Sequence, residues 1–330
     1  METLFSSPDK FKSRFATVDG YRTHYIEAGK EDADRLLLVH GGGIDIGMDL
    51  YRWYPVVIPL SKHFHVYAID ELGHGQTDPP RDTNDLWTPR MRAEHVINFI
   101  ETLKLAPINL VGQSTGGWIV TYITIKRPDL VKRLVLIDSG STAGSALKTE
   151  DESEKKGYVE VDGVQVPISD GGLPYMNEVF EKGTMHPKEG LTTTREGLRK
   201  FVGTFIYNKS MVTEEWLDHL MELSKKWNKL YFTHKGKEFW QKTSLREHSK
   251  EFYIDGAHIR ERVKDIKTPT LVLWGKNSNK GVDPGLALYK RIPNAQMHIF
   301  DKANHFLWLD HPEDFVSIVT WFLTKDGVAA

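Results

Sequence analysis

The chain of 330 residues contains no cysteine. That absence removes disulfides, thiolate metal sites and cysteine nucleophiles together. Long hydrophobic runs are also missing. The best apolar stretches, LLLVH, YPVVIPL and RLVLID, are strand-length, whereas a membrane helix needs about 20 apolar residues. The opening METLFSSPDKFKSRF lacks the uninterrupted apolar core of a signal peptide. Nor is there an excess of charge of one sign. Lys and Arg number 43 against 45 Asp and Glu, a formal charge of −2, so no global positive field exists to hold a phosphate backbone or an anionic membrane. The expectation is a soluble, cytoplasmic protein acting on a small molecule, with neither nucleic acid nor membrane as partner.

What is present is core material. Hydrophobic residues make up 40% and aromatics 11% of the chain, which excludes a disordered polymer. FATVDGYRTHYIEAG at 15–29 reads as a hairpin turning at Asp19-Gly20. Short apolar strand patterns then recur at 36–39, 65–70, 108–113, 133–138, 270–275 and 295–300. Helical spacing falls between several of them, as in PRMRAEHVINFIETLKL at 89–105. Strands buried on both faces and alternating with helices predict an α/β protein with a mainly parallel sheet.

Residues between Asp138 and Thr270 are too many for a simple crossover. The spacing therefore predicts a core at 1–141 and 263–330 and a separate layer at 142–262. This layer opens with the charge run KTEDESEKKG, read as a solvated loop. A second hairpin signal follows at Asp162-Gly163, and then helical stretches rich in aromatics: Phe201, Phe205, Tyr207, Trp216, Trp227, Tyr231 and Trp240. Most of these are expected to form the layer's own core, and some to face a cavity beneath it.

The sharpest chemical signal is Gly112-Gln113-Ser114-Thr115-Gly116-Gly117, lying between the strand INLVG and a helix-forming run. A strand-to-helix turn this tight strains the serine and exposes its hydroxyl, while glycines let the backbones pass. Ser114 is thus the candidate nucleophile. His305, in the loop between AQMHIF and a C-terminal amphipathic pattern, is the candidate base. After the strand LLLVH come Gly41-Gly42-Gly43, whose unencumbered N–H groups, at Gly42 and Gly43, join that of Thr115 as a candidate oxyanion hole. The segment Asp70–Asp78 is given a structural role.

These motifs and their chain order resemble the α/β-hydrolase superfamily over nearly the whole chain. Within it, HGGG, GQSTGG, FIYNKSMVTEEW, GLAL at 285–288 and AQMHIFDKANHFLWLDHPEDF are similar to the meta-cleavage-product hydrolases, which cut C–C bonds in vinylogous diketo acids. The resemblance implies an eight-stranded sheet with helices on both faces and a mostly helical cap inserted after the sixth strand. It also implies a Ser, acid, His triad and no metal or organic cofactor.

The chain departs from that subfamily at four positions. No carboxylate follows the strand TLVLWG, where the sequence runs Lys276-Asn277-Ser278-Asn279-Lys280. The register of the cap places Leu220 where the family's carboxylate-binding arginine is implied. Gln113 stands in place of the common Asn, and Phe306 in place of the common Trp. Asp138, at the end of RLVLID, is the favoured acid, with Asp283 the alternative; Asp283 also suits a helix cap. The expected substrate is a neutral, largely apolar ester or lactone in a pocket that includes Gln113, Trp216, Leu220 and Phe306. Three rivals stand beside it. One is C–C hydrolysis with Arg195 or Arg199 holding the substrate carboxylate, the second a hydrolase-fold ligand-binding protein, and the third a cofactor-free dioxygenase. A symmetric homodimer is the default assembly.

Overall fold

The computed structural model describes residues 11–42, 48–79, 89–143, 155–161, 164–169, 194–231 and 258–324. The strands are β1 Lys12–Val18, β2 Tyr21–Ala28, β3 Arg35–Val39, β4 His65–Ile69, β5 Ile108–Gln113, β6 Val131–Ile137, β7 Lys155–Val161, β8 Val164–Ser169, β9 Thr270–Gly275 and β10 Ala295–Phe300. Eight of them form one sheet in the order β1-β2-β4-β3-β5-β6-β9-β10, and β7 pairs with β8. Only the β1/β2 and β2/β4 pairs are antiparallel in the large sheet. The sheet is therefore mainly parallel, as the sequence patterns predict, and eight-stranded, as the resemblance implies. The first hairpin also turns where expected, with Val18 opposite Tyr21 and positive φ at both Asp19 and Gly20.

The main helices are α1 Tyr54–Ser61, α2 Pro89–Thr102, α3 Thr115–Lys126, α4 Arg195–Gly203, α5 Glu214–Tyr231, α6 Asp283–Arg291 and α7 Pro312–Thr324. Every residue of β4, β5 and β9 is buried. Alternate side chains of these strands point to opposite faces, so each strand feeds two cores. Leu38, Ala68, Val111 and Leu273 pack on one face with Val57 of α1 and Phe315 and Val319 of α7. Leu37, Ile69, Leu110 and Val272 pack on the other with Val96 of α2, Ile119 of α3 and Leu288 of α6. This double covering explains why the strands read as continuous apolar runs rather than alternating ones.

Between β6 and β9 the main described elements are the β7/β8 hairpin, α4 and α5. Strand β7 begins at Lys155, so the end of the charge run pairs as a strand rather than forming the predicted solvated loop. The rest of that run, the Asp162-Gly163 turn and Trp240 lie outside the described residues, as do the side chains of Trp227 and Tyr231. Among the described residues no helix is long and apolar enough to cross a membrane.

Candidate active site

Strand β5 lies mid-sheet between β3 and β6, and its C-terminal end runs straight into α3. Ser114 occupies the single residue between them, with φ 55° and ψ −119°. A non-glycine residue in this region costs about 1–3 kcal/mol, so the surrounding structure must impose it. It does so with hydrogen bonds. Ser114 N–H donates to Ile137 O at 3.0 Å, and the Ser114 carbonyl accepts from the hydroxyls of Ser139 at 2.7 Å and Ser141 at 3.0 Å. Close packing adds to this. A Cβ on Gly112 would fall 2.4 Å from Gly116 O, and one on Gly116 would fall 2.3 Å from His40 O. Glycine is required at both positions for the turn to close.

His305 follows β10 and is 4% exposed. Its Nδ1 lies 2.7 Å from Asp138 Oδ1, in the loop after β6. Asp138 is fully buried and has φ 41°, a left-handed conformation that Asp tolerates better than most residues. Ser278 Oγ, from the loop after β9, donates to the same Oδ1 at 3.1 Å. The β9 loop therefore still reaches the histidine's partner, and brings a hydroxyl in place of a carboxylate. Asp283 is elsewhere, exposed at the first turn of α6 behind a Pro-containing N-terminus.

The other ring nitrogen of His305 is occupied. Gln113 Nε2 donates to His305 Nε2 at 2.8 Å, and Gln113 Oε1 accepts from Arg52 Nη1 at 3.0 Å. Since a guanidinium only donates, Arg52 fixes which end of the Gln113 amide faces His305. No hydrogen bond joins Ser114 Oγ to His305. Burial holds the His305 pKa down to about 4, reinforced by the positive charges of Lys280 and Arg52 and opposed by Asp138.

Arg52 is the site residue that the sequence reading missed. It is 2% exposed, its Nε and Nη2 have no hydrogen-bond partner among the described residues, and its guanidinium carbon lies 5.0 Å from the centre of the Phe306 ring. Burial pushes its pKa down to about 10, offset in part by Asp49 and Glu71, so it stays charged at neutral pH. The one available signal was a lone cation inside the apolar run LYRWYPVVIPL. Arg195 and Arg199, expected as carboxylate anchors, are instead tied into exposed ion pairs. Arg195 bonds Glu214 at 2.7 Å and also pairs with Asp218, while Arg199 pairs with Glu214 and donates to Val212 O at 3.3 Å.

Gly42 has φ 112° and its carbonyl accepts from Arg92 Nη2 at 3.1 Å, with Arg92 clamped to buried Glu71. His40 anchors the same loop, donating from Nδ1 to Gly41 O at 3.0 Å and accepting from Glu71 N–H at 3.2 Å. Thr115 N–H opens α3, where first-turn N–H groups have no partner within the helix. Gly43 lies outside the described residues. Of the expected pocket residues, Trp216, Leu220 and Phe306 are 1–2% exposed and share one apolar cluster. Phe306 lies 5.5 Å from His305 and 5.4 Å from Phe205, ring centre to ring centre. Its N–H donates to Phe205 O at 2.9 Å, so the β6–β9 insertion is bonded directly to the loop that carries His305. The Asp70 carboxylate accepts from Leu50 N–H, Gln76 N–H and His24, consistent with a structural role for its segment. Among the described residues no group of three His, Asp or Glu side chains is placed to hold a metal ion.

A strand-to-helix serine at mid-sheet with a buried histidine after the last strand defines an α/β-hydrolase. Residues 34–312 match the family described as alpha/beta hydrolase fold, and the chain belongs to that family. It is 27% identical over 325 residues to 2-hydroxy-6-oxo-6-(2'-aminophenyl)hexa-2,4-dienoic acid hydrolase of Metapseudomonas resinovorans, covering 97% of this chain and 93% of that one. The meta-cleavage product hydrolase of Pseudomonas fluorescens shares the fold with a TM-score of 0.67 at 22% identity, over 94% of this chain and 96% of that one. A membrane phospholipase A from a bacterium does so with a TM-score of 0.64 at 20% identity, over 97% and 87%. The protein is thus a hydrolase of α/β fold, similar to an enzyme named as a dienoic acid hydrolase and, in fold, to ones named as a meta-cleavage product hydrolase and a phospholipase A.

Proposed function

We propose that the protein hydrolyses a carboxylic ester or lactone through an acyl-enzyme on Ser114. In this reading His305 Nε2 takes the Ser114 proton and later returns it to the leaving group, and Asp138 orients the ring and stabilises the imidazolium. The N–H groups of Thr115 and of the Gly42 loop hold the developing oxyanion, and residues 142–262 act as a cap whose Trp216 and Leu220 share an apolar cluster with Phe306 of the core. The observation that carries the proposal is the 2.7 Å contact between His305 Nδ1 and Asp138 Oδ1, because it gives the candidate base a buried acid without one after β9.

A second reading is C–C hydrolysis of a carboxylate-bearing dienone. It is favoured by Arg52, whose Nε and Nη2, without a partner among the described residues, form one bidentate edge suited to a carboxylate. The expected neutral substrate rested on the aromatic cap and on Leu220 in place of an arginine, and Arg52 places a cation beside Gln113. Steady-state turnover of an aryl ester and of a meta-cleavage dienoate, with Ser114→Ala as the blank, separates the two. Ester turnover alone, lost in Ser114→Ala, supports the first reading. Faster dienoate cleavage supports the second, and turnover that survives Ser114→Ala sinks both.

A further inference from the structure

We propose that Gln113 is a positioning residue that latches His305 in the resting enzyme, so that the base is withheld from Ser114 until the amide swings away. The inference deepens the serine-hydrolase reading and rests on it. A histidine ring nitrogen has one in-plane lone pair, and Nε2 can accept from only one well-aligned donor at a time. In the resting protein that donor is Gln113 Nε2 at 2.8 Å, and Ser114 Oγ makes no hydrogen bond to the ring. The acid side of the ring is fixed by Asp138, so the imidazole cannot turn to offer its other nitrogen.

Gln113 is itself held. It is fully buried, and Arg52 Nη1 donates to its Oε1 at 3.0 Å. Arg52 in turn is pinned through its backbone carbonyl, which accepts from Trp308 Nε1 at 3.0 Å. The line Arg52, Gln113, His305, Asp138 is therefore a continuous hydrogen-bonded chain that passes through the residue immediately before the nucleophile. Its two ends differ in kind. Among the described residues, Asp138 Oδ1 is held by Ser278 as well as by His305, with Oδ2 left unpartnered, whereas the Arg52 end keeps two N–H groups, Nε and Nη2, without a partner. A ligand oxygen that draws Arg52 off would free the amide, and with it the Nε2 lone pair. Side-chain length is what permits the latch. Asparagine is shorter by one carbon–carbon bond of about 1.5 Å and could not span from the backbone of β5 to the ring.

The test is labelling of Ser114 by a small alkyl fluorophosphonate, which needs little substrate recognition. Ser114 Oγ forms the P–O bond, fluoride leaves, and His305 takes the hydroxyl proton. We compare the wild type with Gln113→Asn and Gln113→Leu across pH. Freeing the base from a buried hydrogen bond is expected to raise the second-order labelling constant about tenfold. The acid limb of the profile should also move to higher pH, because the Gln113 amide favours the unprotonated ring; a merely structural role would leave that limb in place. The groups facing His305, namely Asp138, Lys280 and Arg52, are unchanged in both variants. Labelling no faster than wild type, with an unmoved acid limb in whichever variant retains a cooperative melt, overturns the latch. An adduct absent from Ser114 in every variant overturns the serine reading instead, and the two failures are distinct.

Discussion

Replacing Asp138 by Asn removes one charge and almost nothing else. The φ of 41° at this position is tolerated by Asn as readily as by Asp, so the backbone need not shift. Ser278 Oγ can still donate to the Asn oxygen. What is lost is the carboxylate facing the imidazolium that forms when Ser114 is deprotonated. With charge centres about 3.5 Å apart and an effective dielectric near 20, that interaction is worth about 5 kcal/mol. Turnover of an aryl ester is therefore expected to fall about 10³- to 10⁴-fold, mostly in kcat. Asp283→Asn, on an exposed helix start, should stay within about twofold of wild type. Initial rates together with melting temperatures make the comparison. If Asp138→Asn retains a third of wild-type turnover, or Asp283→Asn loses most of it, the reasoning from the 2.7 Å contact is wrong.

Two further outcomes follow from the same geometry. His305 is held down to about 4, below its ordinary 6.5, so the base stays neutral over most of the acid range. kcat/KM should be flat from pH 7 to about pH 5 and fall with a midpoint near 4, and a midpoint at 6.5 would refute the burial argument. Stability is the wrong readout for this shift, because Glu71 is pushed up to about 7 and its linkage to folding has the opposite sign. A histidine whose folded pKa is lowered loses stability as pH falls below its unfolded value. A glutamate whose folded pKa is raised gains stability over much the same range. Gly116→Ala would set a Cβ 2.3 Å from His40 O, backbone against backbone, and should destabilise the fold by at least about 3 kcal/mol. Denaturant unfolding measures it, and a loss under about 1 kcal/mol would mean that the turn has slack.

The strands, the first hairpin and the position of Ser114 were legible because each is written locally. Apolar runs such as INLVG and TLVLWG bury on both faces whatever lies beyond them, Asp19-Gly20 suits one kind of turn, and the spacing of Gly112 and Gly116 about Ser114 is a property of a few adjacent residues. The Lys155 end of the charge run misled because its composition suits a loop, while pairing with a strand some ten residues later decides its state. What only the tertiary structure decided is which side chains meet. Asp138 and His305 are 167 residues apart, and Gln113 and His305 are 192 apart. Two acids could have served the histidine in sequence. The parallel order β5-β6-β9-β10 set the ends of β6 and β10 on one edge of the sheet and left Asp283 on an outer helix. Arg52 is the clearest case. Its sequence neighbours form an apolar run, but its charge gains meaning only from Gln113 and Phe306, which the sheet brings to it from other parts of the chain. Local patterns fix elements through short-range sterics and burial, whereas a site forms from contacts that exist only once the strands have chosen their order.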